Sequence, residues 1–109
     1  MTSLDGIAPA RNRLPNRRGH ETFEFELMGL HYICSFGRSP NGPLSEIFLN
    51  AAKQGSTLDA AVHDDAITAS LALQYGCPAD VLRKALTRNG NGSASGPLAQ
   101  ALDLIAGRP

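Results

Sequence analysis

An Asn, a Lys and a Gly-Ser-Thr cluster stand close together at Asn50, Lys53, Gly55, Ser56 and Thr57, directly before an alanine-rich run. Residues of these types can hold an anion. A helix N-terminus presents unpaired N–H groups and partial positive charge, a lysine adds a cation, and a glycine lets the backbone approach a ligand. The same residues also make a plain strand-to-helix junction, with Ser56 or Thr57 capping the first turn and Asp59 where the helix dipole favours negative charge. A phosphate-binding P-loop places its Lys directly after the second glycine of Gly-x-x-x-x-Gly-Lys. Here Lys53 precedes Gly55 and no glycine stands upstream at the required spacing. The spacing therefore favours the junction, and anion or ligand contact at these five residues is the functional expectation it leaves standing.

The second group is basic. Arg11, Arg13, Arg17 and Arg18 crowd into "RNRLPNRRGH", and Asp5 is the only acid among the first twenty residues. Arginines in an irregular segment can neutralise nucleic-acid phosphates, dock on an acidic partner or keep a terminus solvated. No aromatic residue stands among them to stack on a base, which weighs against nucleic acid. The formal net charge of the whole chain is zero, so its bulk electrostatics select neither nucleic acid nor membrane.

Other reactive residues do not combine. His63, Asp64 and Asp65 are neighbours in a helical stretch, where each step turns the side chain by about 100°. No second cluster at ligand spacing completes a metal site. His20 and His31 read as surface residues. Cys34 alternates with core residues, and Cys77 precedes Pro78 at a helix start; the two form no Cys-x-x-Cys pattern and read as reduced, structural thiols. No Gly-x-Ser-x-Gly elbow occurs, and nothing supplies nucleophile, base and oxyanion donor together. The expectation is a non-enzyme without metal or cofactor.

The elements that must position these residues follow from periodicity. "ETFEFEL" alternates, with Phe23, Phe25 and Leu27 on one face and Glu24 and Glu26 on the other. Met28 and Gly29 make a tight reversal, and "LHYICSF" returns with Tyr32, Cys34 and Phe36 on one face. "GRSPNGPL" is turn chemistry, and "SEIFLN" forms a third strand with Ile47 and Leu49 opposite Phe48. From Ser56 the period becomes helical and ends near Gly76 and Pro78. The alanines and leucines of this helix spread far enough around it to serve a second surface besides the sheet. "PADVLRKALTR" is a second helix with Val81, Leu82, Ala85 and Leu86 as its stripe. "NGNGSASG" is a flexible loop, and Pro97 to Ala106 is a last helix with Leu98, Leu102 and Ile105 inward. The fold class expected is α+β: a three-stranded antiparallel β-meander followed by two to three helices packed on one face.

At 109 residues the chain makes one domain with a modest core. Residues 1–19 read as a flexible basic N-terminal arm and residues 20–109 as the α+β domain. The start lacks the basic and apolar regions of a secretory signal, and no run is long and apolar enough to span a bilayer. A cytoplasmic protein is expected.

With the elements placed, "GPLSEIFLNAAKQGSTLDAAVHDDAITASLALQYGCPADVLRKAL" resembles the TSCPD domain. That domain is found at the C-terminus of adenosylcobalamin-dependent ribonucleotide reductases and in small stand-alone proteins. The similar features are a strand ending in "EIFLN", then "KQGS", a long helix closing on "LALQYGCP", and "ADVLRKAL". "LPNRRGHETFEFELMGLHY" and "SGPLAQALDLIA" resemble the opening and tail of the stand-alone members, so the likeness covers about residues 14 to 106. It implies an appendage without the reductase's catalytic barrel. Reductase C-termini tend to carry paired cysteines, and Cys34 and Cys77 depart from that pattern. The resemblance places Asn50, Lys53, Gly55 and Ser56 at recurring positions. It implies a small non-catalytic binding or accessory domain, with a ribonucleotide reductase or another part of nucleotide metabolism as partner. The alternative is a nucleic-acid-associated accessory protein using the arginine arm. Open sheet edges and a helix apolar on two sides add the expectation of a homodimer.

Overall fold

A computed structural model of the chain describes residues 10–16, 18–53 and 55–108. It has the expected α+β order: β1 (Glu21–Leu27), β2 (Leu30–Arg38), β3 (Leu44–Ala51), α1 (Thr57–Gln74), α2 (Ala79–Ala85) and α3 (Pro97–Ala106). The strands form one antiparallel sheet in the order β1-β2-β3.

Leu27 pairs with Leu30, so Met28 and Gly29 alone make the first reversal. Both have positive φ, 52° and 79°, the combination that matches the right-handed twist of a hairpin. Between β2 and β3 the turn closes through Ser39 N–H to Pro43 O (2.9 Å) and Gly42 N–H to Ser39 O (2.8 Å). The ladder shifts by one residue at Gly37/Arg38.

Alternation then sorts the side chains. Phe25, Tyr32, Cys34, Phe36, Ile47 and Leu49 face the helices and are buried, with the Phe25 and Tyr32 rings stacked at 5.3 Å. Val62, Ala66, Ala69 and Leu73 of α1 and Leu102 and Ile105 of α3 close the core from the other side. Alanines on the sheet-facing stripe of α1 let the helix backbone come close.

This closeness also settles the outer edge of β3. Ser70 Oγ accepts from Ile47 N–H (2.8 Å) and donates to Ile47 O (2.9 Å). Gln74 Nε2 donates to Ser45 O (3.1 Å), and Asp59 Oδ1 accepts from Ala51 N–H (3.0 Å). Backbone groups that a fourth strand would pair are thus met by side chains of one helix.

Helix α1 stops where Gly76 takes φ 104° and Cys77 N–H reaches Ala72 O (2.9 Å). Pro78 precedes α2 as its extended N-cap residue. The stripe expected on α2 divides. Leu82 and Leu86 pack on the core, whereas Val81 and Ala85 are exposed, because two turns of helix reach the core along a single line. On α1 and its C-cap, Ile67, Leu71 and Tyr75 lie exposed away from the sheet. The "NGNGSASG" loop is closed by Asn89 N–H to Ser93 O (2.8 Å) and an Arg88–Ala94 bridge. Among the described residues no helix is long and apolar enough to cross a membrane.

Candidate functional site

The Asn50–Thr57 stretch is organised around Asp59. Its Oδ1 accepts from Asn50 Nδ2 (3.3 Å) and Ala51 N–H (3.0 Å), and its Oδ2 accepts from Gly55 N–H (3.2 Å). Ser56 is the N-cap: its Oγ accepts from Asp59 N–H (3.1 Å) and donates to Lys53 O (2.8 Å). Burial pushes the Asp59 carboxyl up. The backbone donors of Ala51 and Gly55 and the Asn50 amide outweigh it, leaving the group below its ordinary range. The donors that could cradle an external anion therefore already hold a carboxylate of the chain itself.

Asn50, Gly55, Ser56 and Asp59 line a hollow of about 320 Å³ with His63 and Asp64. Lys53 and Thr57 are exposed and not part of that lining.

The arginines are dispersed. Residues 1–9 of the expected arm, and Arg17, lie outside the described residues. Arg11 Nε donates to Gln74 Oε1 (2.7 Å), and Asn12 N–H reaches Gln74 O (2.7 Å), at the end of α1. Arg13 is exposed. Arg18 grips Glu46 with Nε on Oε2 and Nη2 on Oε1 (2.9 Å), while its Nη1 donates to Pro15 O (2.7 Å). His20 Nε2 lies 2.6 Å from Glu46 Oε2, and its ring sits 5.8 Å from that of Phe48.

Glu46 is only 3% exposed, although strand alternation puts it on the outer face of the sheet. Gly37 faces it in the ladder. A Cβ at Gly37 would stand 3.3 Å from Glu46 Oε2, Gly19 O and His20 Cδ2, so the glycine makes room for the segment that covers Glu46.

Hydrogen bonds from Arg18 hold the Glu46 carboxyl below the ordinary range, burial opposes them, and His20 adds to the lowering. Asp103 is likewise held down by Arg88 against burial, with Arg83 helping. A carboxyl depressed in the folded state stabilises fully above its unfolded pKa, about 4.3 for Glu. That stabilisation is lost as the pH falls through the lower folded value. Melting temperature should therefore hold steady from neutral to mildly acid pH and fall below about pH 4.5. Glu46→Gln should flatten part of that fall; an identical acid limb in the variant would remove Glu46 from the account.

The remaining reactive groups stay apart. His31 Nε2 lies 2.6 Å from Glu24 Oε1 on the open face. Cys34 is fully buried, and burial pushes its thiol up to about 12, which disfavours a nucleophilic thiolate. Cys77 is half-buried, with Sγ 3.6 Å from Pro78 O. No three His, Cys, Asp or Glu side chains among the described residues gather as metal ligands. Residue spacing missed Glu46, Ser70 and Gln74. The available sign was Ser70 and Gln74, four residues apart among the apolar positions of α1.

With this geometry in view, the comparisons with known proteins point one way. The chain is 37% identical over 75 residues to a vitamin B12-dependent ribonucleotide reductase of Rhodopirellula baltica, a match covering 68% of this chain and 7% of the reductase. It is 39% identical over 70 residues to that of Streptantibioticus cattleyicolor, covering 64% and 12%. It is 33% identical over 81 residues to that of Agrobacterium fabrum, covering 74% and 6%. No family model matches the sequence. No solved structure matches it. The chain spans between 6% and 12% of the length of these relatives; what it shares with vitamin B12-dependent ribonucleotide reductases is a short region of their sequence.

Proposed function

We propose that this chain is a small non-catalytic accessory domain of the TSCPD type, and that it binds a ribonucleotide reductase or another protein of nucleotide metabolism. The observation that carries the reading is the 37% identity over 75 residues to a short region of a vitamin B12-dependent ribonucleotide reductase. In this reading residues 20–109 are the binding domain and residues 1–19 its basic arm. The exposed Ile67 and Leu71 of α1 and Tyr75 at its C-cap supply the partner contact, since a row of apolar side chains facing water gains most from being covered. The junction around Asp59 serves to fix the start of α1, and through it that row.

The test is capture by the tagged chain from its native host's lysate, with and without nuclease, followed by reconstitution with purified reductase. Recovery of a reductase irrespective of nuclease, lost in Leu71→Asp at unchanged melting temperature, is the expected result. Partners that disappear with nuclease would move the function to the arginines and nucleic acid, and retention of the reductase by Leu71→Asp would remove α1 from the contact.

A further inference from the structure

A groove of about 310 Å³ runs between α2, α3 and the β2–β3 turn, and three arginines line it: Arg38, Arg83 and Arg108. Its apolar wall includes Leu44, Leu102 and Ile105, and Asp80 is the one carboxylate side chain that the described residues add to the lining. From this arrangement we infer that the groove binds a small organic phosphate, a phosphate monoester carrying an apolar body.

Among the described residues the carboxylate partners of Arg83 and Arg108 stand at long ion-pair distances. Arg83 stands 3.5 Å from Asp80 and 3.5 Å from Asp103, and Asp103 already receives two bonds from Arg88. Arg108 comes no nearer than 3.8 Å to Glu21. Aromatic faces hold the other two in place, with Arg108 lying 4.3 Å from the Phe23 ring centroid and Arg38 5.6 Å from that of Phe36. A guanidinium held by its flat face keeps its N–H edge for a ligand.

Arg83 Nε is buried and has no acceptor among the described residues. A buried donor without a partner is unfavourable, and a turn of the Arg83 side chain toward an oxygen in the groove would relieve it. The charge selects the ligand. Three planar forks offer more donors than one carboxylate accepts, and they suit the several oxygens and double charge of a phosphate monoester. The apolar wall then favours an ester with a carbon body over the bare ion. This site stands apart from the α1 face, so it holds or fails independently of the partner proposed above.

The experiment is a titration of the full chain with phenyl phosphate at low salt, following the arginine Nε–H resonances by NMR. The Arg83 Nε–H should move, and phenyl phosphate should bind about tenfold more tightly than inorganic phosphate, a difference of about 1.4 kcal/mol. Arg38→Ala should weaken binding by a similar factor, whereas Arg13→Ala, outside the groove, should leave it unchanged. Arg83→Lys serves beside Arg83→Ala, because it keeps the charge while removing the fork, and should still weaken binding. The site is overturned if no resonance moves at millimolar phenyl phosphate, if inorganic phosphate binds equally well, or if Arg13→Ala loses as much as Arg38→Ala.

Discussion

Ser70→Ala is expected to lower the stability of this fold by about 2–3 kcal/mol, although it removes a single oxygen atom. The hydroxyl serves both the N–H and the C=O of Ile47, and it is buried. An unmet buried backbone group costs about 1–3 kcal/mol, and the substitution orphans two on a strand whose edge α1 covers. Water would have to enter between α1 and β3 to satisfy them, against the packing of Ala66 and Ala69. In a domain of about this size each kcal/mol shifts the midpoint by roughly 4–8 °C, so a drop of about 10 °C or more should be seen. Urea unfolding of Ser70→Ala beside Thr68→Ala separates this from a general helix effect. Thr68 lies two residues away, is exposed and bonds within α1 to Asp64 O. A loss below about 0.5 kcal/mol in Ser70→Ala, the scale of an ordinary surface change, would mean that the edge is held by other means.

The contrast between those serine and threonine positions also marks what the sequence makes legible. Strand alternation placed Phe25, Tyr32, Cys34, Ile47 and Leu49 in the core. The Met-Gly reversal, the Ser56 cap and the Gly76 stop gave element boundaries, because each depends on residues within a turn of one another. What stayed hidden depends on pairs distant in the chain. Glu46 alternates outward and reads as solvated until Arg18 and His20, 28 and 26 residues earlier, cover it. Gln74 reads as a helix-end amide until it is seen to bridge Ser45 and Arg11, 29 and 63 residues away. The Asp59 carboxylate was legible as a first-turn acid favoured by the helix dipole, but not as the group that gathers the N–H donors of Ala51 and Gly55. The three-arginine groove joins Arg38, Arg83 and Arg108 from different elements, and no local spacing announces it.

The largest single-residue effect is expected in β3, from two neighbours that the pleat sends to opposite faces. Leu49 is wholly buried beside Cys34 on the sheet face that α1 covers, while Phe48 is 37% exposed beside His20. Leu49→Ala removes buried methyl groups and leaves a cavity in a core of modest size, at a cost of about 3–4 kcal/mol. Phe48→Ala removes the larger side chain, yet its face is open and the neighbouring ring can settle, so about 1 kcal/mol is expected. Equilibrium unfolding of both variants under the same conditions gives the ratio directly. The ordering matters because the register pairs Cys34 with Leu49 and Ser35 with Phe48. A slip of one residue between β2 and β3 would send every side chain of β3 to the other face. It would exchange the two effects, making Phe48→Ala the severe change. It would also turn Ile47 N–H and C=O away from Ser70, so the Ser70→Ala loss and the Leu49→Ala excess must appear together or not at all.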